Sequence, residues 1–267
     1  MMNVESLTVI GGHNKHGDAE NIHLRLFAGT VTAVTGPTGS GKSRLLSDIE
    51  CLAQFDTPTG RGILVNDAPA DDRDRFGFDG KLVAQLSQNM NFVTDLTVGE
   101  FLAMHAESRR SEEDGLISAV FKCANNLAGE KFTLDTKVTQ LSGGQSRALM
   151  IADCALMSNS PIVLIDEIEN AGVDRRKAIA LLTRSEKIVL VSTHDPLLAL
   201  GADMRIVIKN GGIYRVMETS EEEKNALSEI EMIDALMSEV RGRIRRGERV
   251  EYELLRVIQR ADTRYFA

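Results

Sequence analysis

"TVTAVTGPTGSGKSRLLSDIECLAQ", Thr30 to Gln54, runs from an apolar stretch through a glycine-rich turn into a segment with apolar residues at three-to-four spacing. It reads as a buried strand, a turn and a helix. Within it, "GPTGSGKS", Gly36 to Ser43, has the spacing G-x-x-x-x-G-K-[ST], after a strand and opening a helix as that pattern requires. Gly36, Gly39 and Gly41 let the backbone of this loop, with Pro37, Thr38 and Ser40 between them, fold into a nest of inward-pointing N–H groups. The helix N-terminus adds the positive end of its dipole. Lys42 supplies a point charge for β- and γ-phosphates, and the Ser43 hydroxyl can ligate Mg²⁺. Arg44 adds a phosphate contact or faces outward. The competing reading, a chance glycine-rich turn, does not explain the strand before it and the helix after it. Alone, the loop predicts only nucleoside triphosphate binding, which kinases, GTPases and motor ATPases share.

Working outward, residues 4–10 and 22–27 alternate as strands do, with the polar loop "GGHNKHGDAEN" between them. Residues 56–80, rich in Asp, Gly and Pro, predict short antiparallel strands and turns, and 81–87 a strand leading to Gln88. From about 95 to 160 the periodicity is helical. The apolar runs "PIVLID" and "KIVLVSTH" follow, separated by a helix around 174–185. Continuous apolar strands alternating with helices predict a mainly parallel sheet covered on both faces, hence an α/β fold. The antiparallel β part lies near the N-terminus and the helical stretch is inserted. The expected division is a domain over 1–217, with its helical subdomain at about 95–160, and a helical extension over 218–267.

Bulk properties exclude other classes. With 43% hydrophobic and 26% charged residues the chain has an ordinary globular composition. A net charge of −8 provides no basic field for nucleic acid, so no nucleic-acid partner is expected. Cys51, Cys123 and Cys154 form no CxxC pair, which suits reduced thiols. No apolar run reaches the ~20 residues needed to span a bilayer, and the first residues lack the basic flank and apolar core of a signal peptide. A cytoplasmic chain is expected, with peripheral attachment at the inner face of a membrane as an option.

A second segment narrows the function. "LSGGQ", Leu141 to Gln145, is followed directly by a helix and again sets a hydroxyl, Ser142, and glycine amides, Gly143 and Gly144, at a helix N-terminus. One chain cannot readily bring two such sites to one γ-phosphate. A two-fold pair of chains, each closing the other's phosphate loop, solves this. With the phosphate loop, Gln88, "LSGGQ", "IVLIDE" and His194 in "VLVSTHD" in that order along the chain, it resembles the nucleotide-binding subunit of the ATP-binding cassette (ABC) family over roughly residues 1–215.

That resemblance implies a P-loop NTPase core and ATP with Mg²⁺ as ligands. It assigns Asp166 to the metal, Glu167 to polarising the attacking water, and His194 to the γ-phosphate. Gln88 would take the metal or the water and sense a transport partner; by itself it could be a polar strand-end residue. Ser142, Gly143, Gly144 and Gln145 would contact the partner chain's nucleotide, and Asp174 the dimer interface. The implied partners are a second ABC subunit, the same or different, and membrane-spanning subunits; a soluble client protein is the alternative. Four departures stand out. Ile168 and Glu169 follow Glu167 in place of Pro-Thr, and Glu169 faces solvent or a partner. Arg44 replaces a small hydroxyl residue. "SRALMIADCALM" replaces an Arg-Val-Ala-Ile-Ala-Arg-like run after Gln145. No Tyr or Phe precedes Phe27 to stack on adenine, so His13 or His16 stands in or the adenine is left unstacked. The tail carries Leu227, Ile230, Ile233, Leu236, Val240 and Ile244 on one helical face and a basic "RGRIRRGERV". It reads as an amphipathic helix packed on its own domain or a partner, with acidic lipid or nucleic acid as the alternative contact.

Overall fold

The computed structural model describes residues 3–77, 81–87, 92–109, 115–167, 172–184 and 186–250. They divide into two compact units, Met1–Glu218 and Thr219–Ala267. In the first unit, a four-stranded antiparallel sheet has the order β2-β1-β4-β5, built from β1 (Ser6–Ile10), β2 (His23–Phe27), β4 (Gly62–Val65) and β5 (Ala68–Pro69). The second sheet contains β3 (Val31–Thr35), β6 (Val83–Leu86), β7 (Ile162–Asp166), β8 (Ile188–Ser192), β9 (Met204–Lys209) and β10 (Gly212–Glu218). Its order is β10-β9-β3-β8-β7-β6, parallel throughout except for the β9–β10 hairpin.

Burial follows from this pairing. All five residues of β8 are buried, and β3 and β7 are buried up to their last residue, because helices cover both faces. In contrast β2 alternates exposed and buried, as a strand with one solvated face does. On one face α1 (Lys42–Glu50) presses Leu45, Leu46 and Ile49 into a core shared with Leu7, Leu26 and Ile63 of the antiparallel sheet. Each of those three helix side chains is fully buried, and such burial contributes roughly 1.5–3 kcal/mol apiece. The other face is covered by α3 (Val98–Ser108), α4 (Leu116–Leu127), α5 (Gly143–Leu156) and α6 (Arg175–Arg184). Residues 56–77 are less regular than expected. Beside β4 and β5 they contain the short helix α2 (Asp72–Phe76), started by the Asp71 carboxylate, which accepts from the Arg73 and Asp74 N–H groups.

The remaining elements are a short 3-10 helix (Val138–Gln140), α7 (Pro196–Gly201) and, in the second unit, α8 (Glu221–Arg245). None of the described helices is long and apolar enough to cross a membrane. In a parallel sheet the carboxyl ends of β3, β7 and β8 open on one edge, where doubly covered sheets place their ligands.

Candidate active site

The phosphate loop occupies that edge. Gly36 has φ 144° and Gly41 φ 109°, and both are also sterically required: a Cβ on Gly36 would lie 2.4 Å from the Ile208 carbonyl oxygen, and one on Gly41 2.9 Å from the Gly211 Cα. Gly41 starts α1 with no side-chain cap. By contrast α3, α5 and α8 start with full capping boxes, Thr97–Glu100, Ser142–Gln145 and Ser220–Glu223. Among the described residues the N–H groups of Gly39, Gly41, Lys42 and Ser43 make no hydrogen bond. Open backbone donors at a positive helix end suit a polyphosphate.

Three strand ends supply the side chains. Lys42 Nζ donates to the Gly36 carbonyl at 3.1 Å and to His194 Nε2 at 2.9 Å. An ammonium can only donate, so Nε2 is the acceptor and the ring proton lies on Nδ1. The Ser43 hydroxyl donates to Asp166 Oδ2 at 3.4 Å. Glu167 Oε1 lies 4.0 Å from His194 Nε2, and the Glu167 N–H donates to the Ser192 carbonyl. The Glu167 backbone sits at φ 49°, in the left-handed region that a glutamate occupies only under strain. Two buried hydroxyls on this edge, Ser40 Oγ and Ser192 Oγ, have no hydrogen-bond partner among the described residues. A buried hydroxyl left so costs about 1–3 kcal/mol, which a ligand or water at this edge would offset. The hydroxyl and carboxylate oxygens of Ser43 and Asp166 are the donors a small hard cation takes. No cluster of three His, Cys, Asp or Glu exists among the described residues, and a cation that keeps waters and phosphate oxygens needs none.

The other expected residues lie apart from this cluster or outside it. At the start of α5, Ser142 Oγ accepts the Gln145 N–H at 3.3 Å, and Gln145 Oε1 accepts the Ser142 N–H at 2.9 Å. The Gln145 amide nitrogen donates to the carbonyls of Glu130 and Lys131, and no hydrogen bond joins Ser142–Gln145 to the phosphate loop. Ser142 and Gly143 are exposed, and a Cβ on Gly143 would meet open space. Gly172 packs beside Gly144, and Asp174 donates its N–H to the Leu127 carbonyl while its carboxylate pairs with Lys177. His13 bridges to Ala19 with its ring beside Gly60, and His16 is exposed. Gln88 and Glu169 lie outside the described residues.

Several residues that carry the site were not evident from sequence. Arg147, on α5, donates to the Glu167 carbonyl at 2.9 Å and to the Ser87 carbonyl at 3.3 Å. It therefore ties the carboxyl end of β7 to the segment entering Gln88. Lys15 Nζ donates to the Gly39 carbonyl at 2.8 Å, placing a second cation against the phosphate loop. Beneath, Arg61 is fully buried and forks between Glu20 and Asp48, at 2.6 and 2.9 Å, and also donates to the Gly211 carbonyl. Gly211 in turn donates to the Ser40 carbonyl. Burial works to raise the Glu20 pKa, but the Arg61 bond and the Gly12 N–H outweigh it and hold the carboxyl below its ordinary value.

Comparison with known proteins places the chain among relatives. The sequence profile of the family described as "ABC transporter" matches residues 19–170. An uncharacterized ABC transporter ATP-binding protein of Methanocaldococcus jannaschii is 49% identical over 253 residues, covering 94% of this chain and 97% of its own length. The macrolide export ATP-binding/permease protein MacB of Hahella chejuensis is 30% identical over 230 residues; the match covers 78% of this chain but only 33% of that larger protein. Among solved structures, a dimeric ATP-binding cassette in a post-hydrolysis state bound to ADP and Pi superposes with a TM-score of 0.60 at 25% identity, covering 80% of this chain and 99% of its own.

Proposed function

The chain belongs to the ABC transporter family and is an ATP hydrolase; from that premise we propose that it energises a membrane transporter through a pair of composite nucleotide sites. One observation carries the reading: Lys42, Ser43, Asp166, Glu167 and His194 meet at the carboxyl ends of three adjacent parallel strands, linked by contacts of 2.9–4.0 Å. The open N–H groups of Gly39, Gly41, Lys42 and Ser43 bind the β- and γ-phosphates, with Lys42 as their counter-charge. Lys42 then exchanges its bond to His194 for phosphate oxygens. Ser43 and Asp166 would hold Mg²⁺, joined by Gln88; when bound, the ion neutralises charge that develops on the phosphates. Glu167 accepts a hydrogen bond from the attacking water and orients it, and its αL backbone fixes where the carboxylate points. His194, freed from Lys42, takes the tautomer with its proton on Nε2, donates it to a γ-phosphate oxygen and stays within reach of Glu167.

Ser142 and Gly143, which are exposed, complete the site of a second subunit together with Gly144 and Gln145, with Asp174 at the same interface. Residues 1–217 form the ATPase domain and 218–267 its extension. The chain works in the cytoplasm, against membrane-spanning subunits. The MacB relatives, which carry ATP-binding and permease parts in one protein, support a transport role. Two experiments test the proposal. Lys42→Ala abolishes turnover; hydrolysis at the wild-type rate would remove the phosphate-loop assignment. Trapping with ATP in Glu167→Gln, followed by affinity capture from native membranes, recovers membrane-spanning subunits. Recovery of a soluble client instead would overturn the transport role and leave the ATPase intact.

A further inference from the structure

The turn that presents His194 is held on both sides, and one of its supports lies outside the cluster described above. Ser192 and Thr193 are fully buried and Asp195 is 8% exposed, yet the His194 side chain between Thr193 and Asp195 is 41% exposed. Thr193 donates its N–H to the Val34 carbonyl at 3.1 Å, which ties the turn to β3, the strand that runs into the phosphate loop. The Asp195 N–H donates to Thr193 Oγ1 at 2.9 Å. Both oxygens of the Asp195 carboxylate are engaged. Oδ1 accepts the Leu197 N–H at 2.7 Å and caps α7, and Oδ2 pairs with the Arg175 guanidinium. Arg175 is the first residue of α6, and that helix start is itself fixed. Asp174 Oδ1 accepts the Lys177 N–H at 3.2 Å, and Ala178 and Leu182 of the helix are buried in the core.

We infer that Arg175 is a positioning residue for ATP hydrolysis: through Asp195 it fixes the turn from which His194 reaches the γ-phosphate. The inference rests on the role proposed above for His194. A carboxylate with only 7% of its side chain exposed cannot rely on water, so it needs a compensating cation, and Arg175 supplies it. The cap bond to Leu197 fixes one oxygen, and the ion pair fixes the other and with it the plane of the carboxylate. Without the guanidinium, Asp195 turns toward solvent to hydrate its charge. His194 is the next residue along the backbone, so its ring moves with that rotation. A displacement of about 1 Å in a group that contacts the reacting phosphate is enough to cost roughly 100-fold in rate. Binding of the α- and β-phosphates rests on the loop N–H groups and Lys42, so the loss falls on turnover.

The test measures kcat at saturating ATP with Mg²⁺, and ADP affinity by titration, on the full chain. Arg175→Gln lowers kcat by roughly 10- to 100-fold, while ADP, which lacks the γ-phosphate, binds as it does to wild type. Arg175→Lys keeps a cation beside Asp195 and recovers part of the rate. Asp195→Asn keeps a cap for α7 and reproduces the Arg175→Gln loss. The double variant is no slower than the slower single one, as expected for two members of one contact. In a His194→Ala background, Arg175→Gln has no further effect. A wild-type kcat in Arg175→Gln overturns the inference, as does a loss matched in ADP affinity or one that adds in full to that of His194→Ala. Wild-type turnover in His194→Ala alone removes the role of His194 from the proposed function, and this inference with it.

Discussion

Replacing Arg61 by Met should unfold the ATPase domain far below the wild-type temperature, although Arg61 touches no expected ligand. Its guanidinium is fully buried, and the Glu20 and Asp48 carboxylates that it holds are only 3% and 2% exposed. Removing one member of a buried ion network leaves uncompensated charge and costs about 3–5 kcal/mol. In a domain of this size each kcal/mol moves Tm by about 2–4 °C, so Arg61→Met melts roughly 6–20 °C lower. The pH dependence separates this from a packing defect. In wild type the Glu20 pKa is depressed by Arg61. Its contribution to stability is complete above the ordinary glutamate range and disappears as pH falls through the lowered value. In Arg61→Met only burial and the backbone donors act, and burial raises the pKa. The variant therefore recovers stability on going from pH 8 to 5, where wild type gains nothing. Adding Glu20→Gln and Asp48→Asn removes the buried charges and restores part of the loss at pH 8. Calorimetry at pH 8 and 5 measures all three proteins. An Arg61→Met melt within 2 °C of wild type, or one that worsens on mild acidification, would refute the reasoning.

Other predictions follow from the same edge of the sheet. Arg147→Lys cannot reach both the Glu167 and Ser87 carbonyls; losing one bond to a charged donor, about 1.5–3 kcal/mol, lowers kcat by roughly 10- to 100-fold while ATP affinity measured by titration stays near wild type, and an equal loss in both would point to a folding defect. Glu167→Gly relieves an αL backbone costing about 1–2 kcal/mol against a larger unfolded-state entropy, so it melts no lower than Glu167→Gln although both lack turnover; a Gly variant less stable by more than about 1 kcal/mol would show that the carboxylate stabilises the fold. Burial pushes the Cys154 thiol up to about 11, so it stays protonated at neutral pH and resists iodoacetamide until the domain unfolds, as peptide mapping will report.

What the sequence revealed and what it withheld divide along a physical line. The phosphate loop, the apolar strands and the hydroxyl-and-glycine helix start at Ser142 are encoded within runs of ten or fewer residues. Local rules of period, turn and cap therefore suffice to place Gly36, Lys42, Ser43 and Ser142 on their elements. Asp166, Glu167 and His194 were assigned by order along the chain. Their meeting needs β7 and β8 to pair in parallel with Asp166 opposite Ser192, a contact that no local pattern carries. Glu20, Asp48, Arg61 and Gly211 were illegible for the same reason. Glu20 and Arg61 look like solvated loop charges in polar, glycine-rich segments, and only closure of residues 61 and 211 onto each other, 150 positions apart, buries them. One available signal was the composition around Arg61, a lone cation between two glycines just before an apolar strand. Arg147 was hidden differently. It falls in the run after Gln145 that departs from the common pattern, and its role appears only once α5 lies across the ends of β6 and β7. A site whose phosphate-binding groups are local in sequence, and whose coupling groups are long-range, can keep its chemistry while its partner contacts change.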